Sequence, residues 1–140
     1  MPSIPSHPSL NIVMAASEAV PYAKTGGLAD VVGALPLELI KLGHRVTLVL
    51  PGYRSLEVVR RSRQTVMRRQ IPSGGMSVEV ALEEEVLQIA NGLHPFRILS
   101  VRYDPYFDRP GLYQGEHGDY PDNLERFALF CRMVLHAARF

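Results

Sequence analysis

Two short apolar runs flank a stretch of helical period, and that order restricts the fold more than any other feature of the chain. "LNIVMAAS" (10–17) and "HRVTLVLP" (44–51) are continuous apolar runs of strand length. They are expected to be strands buried on both faces of a parallel sheet, although such a run alone also suits a buried helix segment. Between them Leu28, Val31, Val32, Leu35, Leu39 and Leu42 recur at helical spacing from Gly27 onward. Thr25 or Gly27 is the candidate N-cap, and Asp30 puts a negative charge in the first turn, where the helix dipole favours it. Gly43 is a fitting stop. Pro36 withholds a donor from the carbonyl of Val32 and should bend the helix. Strand, helix, strand in this order implies a right-handed βαβ unit, the start of a Rossmann-like α/β domain with a parallel sheet.

The rest of the chain continues one domain, as its 140 residues allow. Residues 54–63 read as a short helix. Residues 77–104 read as strands separated by turns, with "NGLHP" (91–95) as a hairpin connection and "FRILSVRY" (96–103) as a strand that can rejoin the parallel sheet. "DPYFDRPGLYQGEHGDYPD" (104–122) is a long loop, a type that is either functional or disordered, and its aromatic residues argue against disorder. Pro121 suits the first turn of a last helix. In that helix Leu124, Phe127, Ala128, Cys131, Val134, Leu135 and Ala138 form the expected core face, widened by Leu129, Phe130 and Met133.

Composition excludes several functions. The formal net charge is +1, which disfavours a general nucleic-acid binder, because neutralising phosphates takes a basic surface. Charge is uneven: residues 54–69 carry six Arg against one Glu. That run is either an anion patch or an exposed element paired with the acidic residues Glu79, Glu83, Glu84 and Glu85, and pairing is the expected outcome. A single cysteine, Cys131, forbids an intrachain disulfide and reads as core. No apolar run reaches membrane-spanning length, and the leader "MPSIPSHPS" (1–9) lacks the apolar segment of a secretory signal. A cytoplasmic protein is the expectation. The histidines show no metal-ligand spacing.

Chemistry is first sought beyond the carboxyl ends of the strands, where open parallel sheets bind ligands. The loop after the first strand holds Glu18, Tyr22, Lys24, Thr25, Gly26 and Gly27. Glycines let a ligand approach the backbone, a helix start offers unpaired N–H groups, and Lys24 adds a mobile positive charge. The set suits a phosphate or pyrophosphate. It matches neither standard glycine-rich phosphate motif, so a Gly-Gly turn beside a solvated lysine stays open as the alternative. Asp104, Asp108, Glu116, Asp119 and Asp122 crowd the long loop, where they could cap turns or meet sugar hydroxyls, with capping the expected role. His117 is read as an exposed loop residue.

"SEAVPYAKTGGLADVVGALPLELIKLGHRVTLVLPGY" (17–53) resembles the N-terminal signature of bacterial glycogen synthases and plant starch synthases, K-T-G-G-L-A-D-V above all. "YDPYFDRPGLYQGEHGDYPDNLERFALFCRMVLH" (103–136) resembles the family's D-R-x-x-x-Y loop and the D-N-x-x-R-F helix after it. The resemblance implies a GT-B glycosyltransferase, two Rossmann-like domains around a cleft, that moves glucose from ADP-glucose to the non-reducing end of an α-1,4-glucan with retention. It implies that Lys24 contacts ADP-glucose, that Gly26 and Gly27 approach its phosphates, that Asp30 faces the acceptor side and that Tyr113 lines the cleft. It implies no cofactor and no metal.

The family's later H-D-W motif, its active-site histidine and its C-terminal domain lie outside these 140 residues. The expectation is therefore a leader (1–9) and a partial N-terminal, acceptor-side domain (10–140) with no catalytic residue of its own and no activity alone. The alternative is a non-catalytic half-domain that binds α-glucan or a sugar nucleotide. An uncovered sheet edge would allow self-association.

Overall fold

The computed structural model describes residues 7–59 and 62–140. Five strands form one mixed sheet in the order β1-β2-β5-β4-β3. They are β1 (Asn11–Ala15), β2 (Arg45–Pro51), β3 (Gln64–Ser73), β4 (Met76–Leu87) and β5 (Phe96–Arg102). The helices are α1 (Gly27–Lys41), α2 (Leu56–Val59), α3 (Asp104–Phe107) and α4 (Asn123–Ala137). β1, β2 and β5 run parallel, with Val13 opposite Thr47 and Leu48 opposite Ile98. This is the expected βαβ unit, with "FRILSVRY" rejoining the parallel sheet. β5 pairs antiparallel with β4 across a connection that contains "NGLHP", and β4 pairs antiparallel with β3. The sheet is therefore parallel only in the half that carries the βαβ unit. The β3–β4 hairpin, absent from the sequence reading, turns on Gly74 and Gly75, both at positive φ (58° and 77°). That backbone suits glycine and matches the twist of a hairpin.

β1 corrects one expectation. Its continuous apolar run suggested burial on both faces, yet it is an edge strand, and Leu10 and Val13 are exposed. The sheltered strands are β2 and β5, where Val49, Leu50, Leu99 and Val101 have no exposure.

α1 is positioned as expected, but by other residues. Its N-cap is Gly26, not Thr25 or Gly27. At its other end Gly43 N–H donates to Ile40 O and His44 N–H to Leu39 O, with Gly43 at φ 94°. This is a Schellman stop, which needs a residue that tolerates the left-handed region. The buried face is Ala29, Val32, Pro36 and Ile40, whereas Leu28, Val31, Leu35 and Leu42 point outward. The reason is a close approach. Val20 N–H donates to Ala29 O, and a Cβ on Gly33 would stand 2.8 Å from Val20 O. Only small residues fit where the helix lies against that loop.

α4 is shifted in the same way. Arg126, Leu129, Phe130, Met133 and Ala137 are buried, while Leu124, Leu135 and Cys131 are exposed. Its N-cap is Asp122, so Pro121 precedes the helix rather than opening it. The pattern misled because an arginine occupies the buried face.

Pairing accounts for the described arginines of the basic run, except Arg69. Arg54 bonds Asp108 (2.8 Å), Arg63 bonds Glu83 (2.8 Å) and Glu57 (3.3 Å), and Arg68 bonds Glu79 (3.1 Å). Residues 60–61, part of the expected 54–63 helix, lie outside the described residues. Among the described residues no helix is long and apolar enough to cross a membrane.

Candidate functional site

The loop after β1 and the long segment after β5 meet at the carboxyl end of the parallel strands. Glu18 joins them. It is 5% exposed, and within residues 10–23 it is the only charged side chain. One carboxylate oxygen accepts from Thr25 N–H (2.5 Å) and Gly26 N–H (3.3 Å). The other accepts from Thr25 Oγ1 (2.8 Å) and from the phenol of Tyr113 (2.7 Å). The Tyr113 oxygen in turn accepts from Ser17 Oγ at 2.8 Å, its one proton being given to Glu18. Burial alone would raise the Glu18 pKa. The bonds from Tyr113, Thr25 and Gly26 outweigh it and hold the carboxyl below its ordinary value. Burial, together with the Glu18 bond and charge, pushes the Tyr113 phenol up to about 12, against a smaller opposing effect of Ser17.

The loop also docks on the neighbouring elements. Tyr22 donates to the buried carboxylate of Glu85 at 2.8 Å, and Ser55, after β2, donates to Tyr22 O at 2.7 Å. A cleft of about 520 Å³ opens between these segments, lined in part by Lys24, Thr25, Ser55, Val58, Pro110 and Gly111.

The glycines are not explained by the protein's own needs. Gly26 has φ −161°, extended backbone that any residue adopts. A Cβ on Gly26 or on Gly27 would meet no atom within 4 Å. Among the described residues neither a strained turn nor tight packing requires them. What they leave is open space in front of the first turn of α1, where helix N–H groups and the dipole favour an anion. The Gly26 amide itself is already taken by Glu18, so the amides that follow it are the ones left to meet a ligand.

Lys24 and Asp30, given different roles by the resemblance, are in contact. The Lys24 ammonium donates to both Asp30 oxygens, at 2.7 and 2.9 Å. Both side chains are more than half exposed, and a solvated pair of this kind contributes roughly 0–1 kcal/mol. Lys24 is thus restrained but can be drawn away by a stronger anion. All five expected site residues, Lys24, Gly26, Gly27, Asp30 and Tyr113, fall in this one region. His117 is exposed and takes no part. Three of the five loop carboxylates are structural, through ion pairs and not the expected capping. Asp108 binds Arg54, Asp122 binds Arg109 (2.6 Å) without a side-chain cap bond, and Asp104 binds Arg102, while Glu116 and Asp119 are exposed.

Sequence reasoning gave Glu18 no role, although a lone charge inside an apolar run was the available signal. It also gave none to Asn123 and Arg126, which hold the carbonyls on either side of Tyr113's loop.

Comparison with known proteins identifies the family. The starch synthase catalytic domain family matches residues 11–140. The glycogen synthase of Syntrophotalea carbinolica is 42% identical over 128 residues, which cover 91% of this chain and 25% of that protein. The glycogen synthase of Elusimicrobium minutum is 43% identical over 132 residues, covering 94% and 26%. Among solved structures, the catalytic domain of starch synthase IV from Arabidopsis thaliana, bound to ADP and acarbose, superposes with a TM-score of 0.70 at 26% identity, covering 91% of this chain and 25% of that one. The chain spans about a quarter of the length of the curated relatives it matches. With the family matching 130 of its residues in sequence, and this fold shared with a solved member, the chain belongs to the glycogen and starch synthases.

Proposed function

We propose that this chain forms the N-terminal, acceptor-side wall of a GT-B active site that transfers glucose from ADP-glucose to the non-reducing end of an α-1,4-glucan. One observation carries the reading: Gly26 and Gly27 stand in front of open space at a helix start, with an exposed lysine beside them, and nothing in the protein's packing calls for that. An anionic ligand does. A nucleoside diphosphate sugar fits, because the positive helix end takes the phosphates and Lys24 leaves Asp30 to join them. The solved relative that holds ADP and acarbose supports both the nucleotide and the glucan class of ligand. Asp30, bonded to Lys24, and Tyr113, next in sequence to Leu112, then face the acceptor; Lys24 and Leu112 line the 520 Å³ cleft.

Glucosyl transfer needs both walls of the cleft, and the chain spans a quarter of its relatives. Alone, the 140 residues are expected to bind sugar nucleotide or glucan without turnover. Calorimetric titration of ADP-glucose into the chain and into Lys24→Ala tests this. Loss of one charge-assisted contact should weaken binding about tenfold to a hundredfold. An unchanged affinity would contradict the role of Lys24.

The outer edge of β1 is unpaired among the described residues, and the strand NIVMA carries no charge to deter pairing. Self-association through that edge is the proposed consequence. Sedimentation velocity should show a concentration-dependent dimer that Val13→Lys abolishes. A monomer at all concentrations would refute it.

A further inference from the structure

The D-N-x-x-R run at the start of α4 has no place in the reading above, and its geometry is unusual. Arg126 has no exposure at all. Its Nε donates to Tyr106 O (2.7 Å), and its Nη1 donates to Leu112 O (3.0 Å) and Asn123 Oδ1 (2.7 Å). The guanidinium lies 4.9 Å from the ring centre of Tyr120, 5.3 Å from Phe127 and 5.5 Å from Phe107. Asn123 in turn donates Nδ2–H to Tyr113 O at 2.9 Å. Asp122 anchors the preceding turn by a forked pair with Arg109 at 2.6 and 2.7 Å.

A buried arginine is a poor way to gain stability. Among the described residues it bonds two carbonyls and an amide oxygen, no carboxylate, and its Nη2 has no hydrogen-bond partner. Burial, with the nearby Arg109 charge, pulls its pKa down. An apolar residue of like volume would avoid that desolvation. What the planar fork provides is simultaneous contact with three fixed acceptors on two segments, which no apolar side chain and no single ammonium can match. Two of those acceptors lead directly to Tyr113: Leu112 O is the carbonyl before it, and Asn123 holds its own carbonyl.

We propose that Arg126 and Asn123 are positioning residues that hold the Tyr113 phenol on Glu18, and through Glu18 set the Lys24–Gly26 loop for its ligand. The path is continuous: Arg126 and Asn123 fix the backbone at Leu112 and Tyr113, the phenol bonds Glu18, and Glu18 bonds the amides of Thr25 and Gly26. Its consequence for ligand binding rests on the sugar-nucleotide reading; the positioning itself does not.

The test uses the whole 140-residue chain with 13C label at the tyrosine Cζ, the Tyr113 signal being identified by its loss in Tyr113→Phe. Arg126→Lys keeps the charge and loses the fork. Asn123→Ala removes the second tie outside the core. Both should move the Tyr113 signal toward that of a solvated phenol and speed amide exchange at Thr25 and Gly26 about tenfold or more. Ile71→Val, a destabilising change in β3 beside the C-terminal half of α4 and hydrogen-bonded to none of the network residues, should leave both readouts in place. Unchanged Tyr113 and Thr25 signals in Asn123→Ala would overturn the proposal, whether or not Arg126→Lys folds. ADP-glucose affinity measured on the same proteins should fall about tenfold with the signal shift, since a displaced positioning group misaligns the site. If the unsubstituted chain binds no ADP-glucose, the functional reading fails, and the Tyr113 signal still decides the positioning.

Discussion

Glu18→Ala is expected to cost about 2–4 kcal/mol in urea denaturation, because it strands a phenol, a hydroxyl and two amides that share one ionised acceptor. Its larger effect should be local. The Lys24–Gly26 segment loses its only tie to the β1 loop's carboxylate, and Tyr113 loses its nearer anchor at 2.7 Å while keeping Ser17 at 2.8 Å. Glu18→Gln separates charge from shape and gives the pH dependence. The folded-state pKa of Glu18 is lowered, so its contribution is complete above the unfolded value, about 4.3, and is lost as pH falls through the folded value. The unsubstituted chain should therefore lose stability more steeply below about pH 4.3 than Glu18→Gln. Identical acid limbs for the two proteins would show that the carboxylate is not held in its charged form.

Leu129→Ala and Leu135→Ala should differ sharply although both are leucines of α4. Leu129 has no exposure and packs in the core, so truncation leaves a cavity and costs about 2–5 kcal/mol. Leu135 is 66% exposed, so its truncation should stay within about 0.5 kcal/mol. Calorimetric melting of the two variants reads the difference. Equal destabilisation would mean that α4 is covered on its outer face in solution. That comparison is pointed, because the periodicity of the sequence placed Leu135 on the main core face and Leu129 at its margin.

The same ambiguity runs through α1. Two interleaved apolar sets have nearly the same period, and the larger residues, Leu28, Val31, Leu35 and Leu42, suggested the inner face. The helix instead buries Ala29, Val32, Pro36 and Ile40, with only Gly33 and Ala29 set against the Val20 backbone. A close approach between segments thirteen residues or fewer apart in sequence leaves no mark on hydrophobic period. β1 is similar: an apolar run records that a strand is poor in charge, and its place at a sheet edge depends on which strands pair beside it.

The candidate site was more legible than the packing. Lys24, Gly26 and Gly27 are close together in the chain, and proposing a phosphate-type loop needed only their spacing after a strand; Asp30's acceptor-side role came from the resemblance. Tyr113 came from a resemblance, because ninety-five residues separate it from Glu18 and no local pattern links them. Arg126 was hidden by the rule that arginines avoid cores; it is an exception because backbone carbonyls and three aromatic rings receive it.

By itself the sequence determined the βαβ unit and its family, since these depend on residues close together in the chain. The tertiary structure decided which helix faces are buried, that β1 lies at the sheet edge, and that Glu18 ties the lysine loop to Tyr113. Those depend on contacts between distant segments, where the energy of burial and of shared hydrogen bonds is set by three-dimensional neighbours rather than by residue type.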